Sequence, residues 1–319
     1  MNDQSRIPAP AAPAPFTEPA RTATGAPRAT GALGALRTLW FNTGTLCNIE
    51  CANCYILSSP TNDALVYLSL AEVERYLDEI AATGLPTEEI GFTGGEPFMN
   101  PDMADMAEAA LVRGHRVLVL TNAMRPMMRP GVRSRIAALA RRHGARMTLR
   151  VSLDHHTAER HDAERGEGSF AAALEGMRWL RDAGVAMAVA GRSRWGESEA
   201  EARAGYQRLF AAEGFAIDAH DPAACVLFPE MDETAEVPEI TTACWDILGK
   251  SPESVMCASS RMVVKRRGAK RPVVLSCTLL AYDPAFELGE TLAEAARPVA
   301  LNHPHCAKFC VLGGASCSG

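Results

Sequence analysis

The sequence predicts an α/β fold, an open partial (β/α)6 barrel followed by a small cysteine-rich extension. Strand-like apolar runs alternate with helical runs from Arg37 onward, at a spacing of about 30 residues that implies parallel strands and right-handed crossovers. Six such units are too few to close an eight-fold barrel. In βα barrels chemistry sits at the C-terminal strand ends, and each unusual stretch of this chain falls at such an end. The 10 cysteines divide into three at 47–54, none at 55–224 and seven at 225–317. Two separate cysteine-dependent sites follow from that layout.

The three expected regions are a Pro/Ala-rich disordered tail (1–35), the barrel core (36–224) and a cysteine-rich domain (225–319). Residues 1–35 lack apolar periodicity and leave no room for a folded leader-peptide domain. Arg37–Thr43 is the first strand. Ser69 starts a helix that Gly84 ends, with Glu74 expected to serve its cap better than Glu72. The next strands are Glu89–Thr93, Arg116–Thr121, Met147–Leu153 and Val185–Ala190, with Phe215–Ile217 or Cys225–Phe228 as the sixth. Helices are expected at Met103–Val112, Val132–Arg142, Phe170–Ala183 and Glu197–Ala212.

Composition narrows the function. A net charge of −6 and 6% aromatic residues give no electrostatic or stacking reason to bind nucleic acid. No run reaches the roughly 18–20 apolar residues of a membrane span, and no secretory segment opens the chain. A cytoplasmic location is expected, where cysteines serve as metal ligands or buried thiols rather than disulfides.

Cys47, Cys51 and Cys54 have C-x3-C-x2-C spacing directly after the first strand. One loop can bring three sulfurs to a point, leaving one corner of a four-metal cube without a protein ligand. A structural zinc usually takes four ligands, and a redox C-x-x-C pair leaves Cys47 unexplained. Thr93-Gly94-Gly95-Glu96-Pro97 then follows the second strand, its glycines permitting close backbone approach. These two motifs in this order resemble the signature of radical S-adenosylmethionine (SAM) enzymes.

The resemblance implies a [4Fe–4S] cluster on Cys47, Cys51 and Cys54, with SAM chelating its open iron. It further implies that Tyr55 packs near the adenine and that Gly94, Gly95 and Glu96 fix the methionine amine. Thr121, Asn122 and Ser152 would contact ribose or carboxylate. The SAM carboxylate also wants a guanidinium fork, for which Arg165 and Arg192 are both candidates. An external one-electron donor such as flavodoxin or ferredoxin would reduce the cluster.

Ser152-Leu-Asp-His-His156, His161-Asp162 and Arg165-Gly-Glu-Gly-Ser-Phe170 are similar to a run in radical SAM proteins with a SPASM or twitch extension. His155 replaces the usual glycine, and His155 and His156 read as loop histidines without a catalytic task. In the C-terminal part, Arg261–Val264 and Val273–Leu275 flank a basic turn that reads as a solvated hairpin tip. This region resembles an auxiliary-cluster module. Cys257, Cys277, Cys306 and Cys310, with Cys317 close behind, are the expected ligands of an auxiliary [4Fe–4S] cluster, and structural zinc is the alternative. Cys225 and Cys244 are further ligands or plain buried thiols.

The function implied is cleavage of SAM to a 5′-deoxyadenosyl radical that abstracts hydrogen from a substrate. A peptide is the first candidate and a small metabolite or cofactor precursor the second. The reading outside enzymes is a metal-binding scaffold or sensor. The sequence singles out no general base.

Overall fold

A computed structural model describes residues 14–230 and 236–313. In chain order its elements are β1 (Thr30–Gly31), β2 (Thr38–Asn42), α1 (Leu70–Thr83), β3 (Glu89–Thr93), α2 (Met103–Val112) and β4 (Arg116–Thr121). There follow α3 (Pro130–His143), β5 (Met147–Ser152), α4 (Ala158–Arg165), α5 (Ser169–Asp182), β6 (Ala186–Ser193), α6 (Glu199–Glu213) and β7 (Cys225–Pro229). The last elements are α7 (Cys244–Leu248), β8 (Ser260–Val264), β9 (Val273–Leu275), β10 (Glu287–Gly289) and β11 (Val299–Ala300).

Among the described residues the main sheet has nine strands in the order β10-β9-β8-β2-β3-β4-β5-β6-β7. The six from β2 to β7 are mutually parallel, giving the open partial barrel that the sequence predicts. The β8–β9 hairpin is present as well, but β8 also pairs in parallel with β2. The cysteine-rich part therefore continues the barrel sheet instead of standing beside it. The division at 224/225 falls immediately before the sixth parallel strand, so the barrel extends to Pro229.

Local sequence explains the strong elements. Trp40 and Gly91 are register partners, and a Cβ on Gly91 would lie 2.3 Å from the Trp40 ring. That glycine lets a fully buried indole lie across its neighbour strand. Phe41 stacks on Phe92 at 5.7 Å beneath α1. Ser69 does cap α1, but Glu72, not Glu74, completes the capping box, and Gly84 closes the helix in the left-handed conformation.

One expectation is corrected. Residues 14–35 are not a solvated tail: β1 pairs with β11, and the Arg28 side chain is buried against Glu239. Backbone pairing and small side chains make this packing, and neither leaves a periodic pattern. The basic turn is a solvated hairpin tip as expected, with Arg267, Gly268, Lys270 and Arg271 exposed and only its base held, by Lys265 on Glu72 and Arg266 on Glu287. Among the described residues, no helix is long and apolar enough to cross a membrane.

Candidate functional site

The loop after β2 carries Cys47, Cys51 and Cys54, and it is anchored at both ends. The Cys47 amide donates to the Ser59 carbonyl at 3.0 Å, and the Ala52 amide donates to the Glu164 carbonyl of α4 at 2.8 Å. The Ser58 amide donates to Cys54 Sγ at 3.3 Å, and Asn122 Nδ2 approaches Cys47 Sγ at 3.9 Å. The sulfurs face one cavity at the C-terminal ends of the parallel strands. Tyr55, Gly94, Gly95, Thr121, Asn122, Ser152, Arg165 and Arg192 line the same cavity.

The turn after β3 shows why two glycines are needed. Gly94 has φ +140°, and a Cβ there would lie 2.5 Å from the Gly44 carbonyl oxygen. A Cβ on Gly95 would lie 2.2 Å from the Leu46 carbonyl oxygen. The cysteine loop thus rests directly on this turn, fastened by Gly95 N to Gly44 O at 2.8 Å and Glu96 N to Leu46 O at 3.2 Å. The glycines seat the loop as well as opening backbone toward the cavity.

Glu96, which the motif assigns to the methionine amine, is bonded here to groups at the strand ends. Its carboxylate does not line the cavity. It accepts from Thr121 Oγ1 at 2.9 Å, from the Asn122 amide at 2.8 Å and from the Phe98 amide at 3.1 Å. Burial pushes its carboxyl up to about 7 against the lowering effect of those donors. The residue is a strut that ties the end of β3 to the end of β4. Thr121 is committed to the same strut, which leaves the Asn122 side chain facing the cysteine loop, where it donates to Asn48 Oδ1 at 2.9 Å.

Of the two candidate arginines, Arg165 is the better placed. Burial raises the Cys51 thiol, and the Arg165 guanidinium nearby works against that rise. Nε and Nη2 hold Asp154, so three of its five N–H groups stay available for an anion. Arg192 is spent on the Asn53 carbonyl at 3.2 Å and Glu164 at 3.5 Å. Asp154, Asn53, Gly191, Phe228 and Leu279 also line the cavity and were not expected there. Asp154 was signalled only by its place in the Ser152-Leu-Asp run. Phe228 and Leu279 come from β7 and the C-terminal part, through pairing no local pattern records.

The donor set fits an iron–sulfur cluster. Burial pushes the Cys47 thiol up to about 12 and raises that of Cys51. Such sulfurs become thiolates only beside strong positive charge, which a metal centre supplies. In the C-terminal part Cys257, Cys277, Cys306 and Cys310 sense one another's charge. Burial pushes Cys257 up to about 12 and Cys306 well above the usual thiol range.

Cys317 lies outside the described residues. Cys225 is a buried thiol within β7, and Cys244 Sγ accepts from the Thr241 amide at 3.4 Å as part of a turn. His155, His156 and Glu197 do cluster within 4.8 Å, but outside the cavity. The two rings lie 4.0 Å apart with their planes tilted by 30°. Arg160 already occupies His155 Nε2 at 3.1 Å and Glu197 at 3.4 Å. The trio fastens the end of β5 to the start of α6.

The radical SAM superfamily model matches residues 41–190. Over 154 residues the chain is 32% identical to the antilisterial bacteriocin subtilosin biosynthesis protein AlbA of Bacillus subtilis (strain 168), covering 47% of this chain and 32% of that protein. Over 138 residues it is 32% identical to the AdoMet-dependent heme synthase of Methanosarcina barkeri (strain Fusaro / DSM 804), covering 43% of this chain and 37% of that protein. The matched stretch is thus only about a third of each relative's length. In fold, the chain resembles native anSMEcpe with bound AdoMet, with a TM-score of 0.57 at 14% identity, covering 85% of this chain and 82% of that one.

Proposed function

The chain belongs to the radical SAM superfamily, and from that premise we propose that it is an enzyme which cleaves SAM reductively and abstracts hydrogen from a peptide. The observation that carries this reading is the shared cavity: three cysteine sulfurs, a two-glycine turn and an anion-ready arginine face one space at the strand ends. Cys47, Cys51 and Cys54 would hold a [4Fe–4S] cluster, and Cys257, Cys277, Cys306 and Cys310 an auxiliary one. The chemistry such a cluster and SAM would supply when bound is one-electron cleavage of SAM to methionine and a 5′-deoxyadenosyl radical able to take hydrogen from substrate.

The chain's own residues bind and orient. Arg165 would hold the methionine carboxylate through its free N–H groups, kept in place by Asp154. The carbonyls of Gly94 and Gly95 would accept from the amine, and Tyr55 would cover the adenine. Asn122 and Ser152 would position the ribose. Phe228 and Leu279 add apolar lining to the cavity, which would exclude water from a reactive radical.

A peptide substrate is supported by AlbA, named for bacteriocin biosynthesis, and by native anSMEcpe with bound AdoMet and Kp18Cys peptide. The heme synthase similarity supports the second reading, a small cofactor precursor. Reduction of the cluster would come from an external one-electron donor such as flavodoxin or ferredoxin. The test is to incubate reduced, anaerobically reconstituted protein with SAM and assay 5′-deoxyadenosine. Its formation is expected; none with any low-potential reductant would overturn the proposal.

A further inference from the structure

We infer that residues 28–34 form the outer wall of the auxiliary cluster site, and that Gly31 is a positioning residue for Cys257. This inference rests on the reading of Cys257, Cys277, Cys306 and Cys310 as cluster ligands. A Cβ on Gly31 would lie 2.4 Å from Cys257 Sγ and 3.1 Å from Val255 Cγ2. Any side chain at 31 must therefore move the sulfur or the strap. A cluster ligand displaced by even a fraction of an ångström loses the geometry its iron requires.

The strap is built to hold that contact. Thr30 pairs with Ala300 and Gly31 with Val299, on the strand that leads to Cys306. The Ala29 amide donates to the Ile240 carbonyl, the Leu301 amide to the Ala29 carbonyl and the Gly34 amide to the Ala258 carbonyl, one residue beyond Cys257. A sheet of two-residue strands is weak alone, so the Arg28 side chain serves as the latch. It is fully buried, bonds Glu239 Oε1 at 2.5 Å and donates to the carbonyls of Glu18 and Arg21. Seated in this way, the strap shields Cys257 from solvent, leaving the residue 6% exposed.

The test compares anaerobically reconstituted wild type, Gly31→Val, Gly34→Ala and Cys257→Ala by iron content and electron paramagnetic resonance, with and without SAM. Gly34→Ala is the control, because a Cβ there meets nothing nearer than the Ala258 carbonyl at 3.9 Å. Wild type and Gly34→Ala should hold about eight irons, and Gly31→Val and Cys257→Ala about four, with the SAM-induced spectral change of the first cluster intact. Eight irons with a wild-type spectrum in Gly31→Val would overturn the inference alone. Four irons in wild type, unchanged in Cys257→Ala, would overturn it together with the auxiliary-cluster reading. Should Gly31→Val also lose the first cluster's response to SAM, Arg28→Met decides. Its auxiliary iron should reach a chelator at least ~10-fold faster than in wild type, and an unchanged rate overturns the inference.

Discussion

Arg165 grips Asp154 through two parallel hydrogen bonds, Nε to Oδ2 at 2.7 Å and Nη2 to Oδ1 at 3.0 Å. Burial of Asp154 opposes its ionisation, but the guanidinium outweighs it and holds the carboxyl below the usual carboxylate range. The fork fixes which guanidinium edge faces the cavity. A lysine carries the charge without the planar geometry. Arg165→Lys should weaken SAM binding at least ~10-fold, a loss of about 1.4 kcal/mol or more, measured by titrating SAM into the reconstituted protein. Arg192→Lys should cost clearly less, since Arg192 is engaged with Asn53 and Glu164. Equal affinities for wild type and Arg165→Lys would remove Arg165 from the carboxylate site.

The Glu96 strut gives a stability prediction. All three of its partners donate: the Thr121 hydroxyl and the amides of Asn122 and Phe98. In Glu96→Gln an NH2 group replaces one accepting oxygen and leaves a buried donor facing another donor. The expected cost is about 1–3 kcal/mol, read from urea unfolding. A variant as stable as wild type would show that the strut carries no net stability.

His161 gives a prediction with a sign. Burial holds its imidazole down to about 4, and Nδ1 accepts from the Asp154 amide at 3.1 Å. Above pH of about 6.5 the ring is neutral folded or unfolded. Between there and about 4 the unfolded chain binds a proton that the folded chain does not, so stability falls as pH falls. His161→Asn keeps an acceptor at the Nδ1 position and removes this titration. The penalty of that substitution should shrink by about 2 kcal/mol between pH 7 and pH 5, and an unchanged penalty would contradict the assignment. Glu96, with its carboxyl raised to about 7, works in the opposite direction over the same window, so wild type shows only the difference of the two.

What was legible in the sequence had a local pattern. The β-strands were apolar runs, helix ends carried Ser69 and Gly84, and the cysteine loop and glycine turn stood out by spacing alone. α4 escaped because its buried face is polar: His161 and Glu164 are buried and held by hydrogen bonds and ion pairs instead of an apolar stripe. The strap around Gly31 escaped because it packs through backbone and a missing side chain. The parallel pairing of β8 with β2 joins residues more than 200 positions apart, and nothing nearby in the sequence encodes it. At the site, the motif correctly brought Glu96 to the strand ends but could not tell that its carboxylate turns inward.

The most direct measurement is electron paramagnetic resonance of the reduced, anaerobically reconstituted chain before and after addition of SAM. The signal of one four-iron cluster should change on addition, and Cys51→Ala should abolish the responsive signal while leaving any auxiliary signal in place. A fully loaded wild-type protein whose spectrum is unaltered by SAM would contradict the central claim that the cavity beside Cys47, Cys51 and Cys54 binds SAM at an open iron.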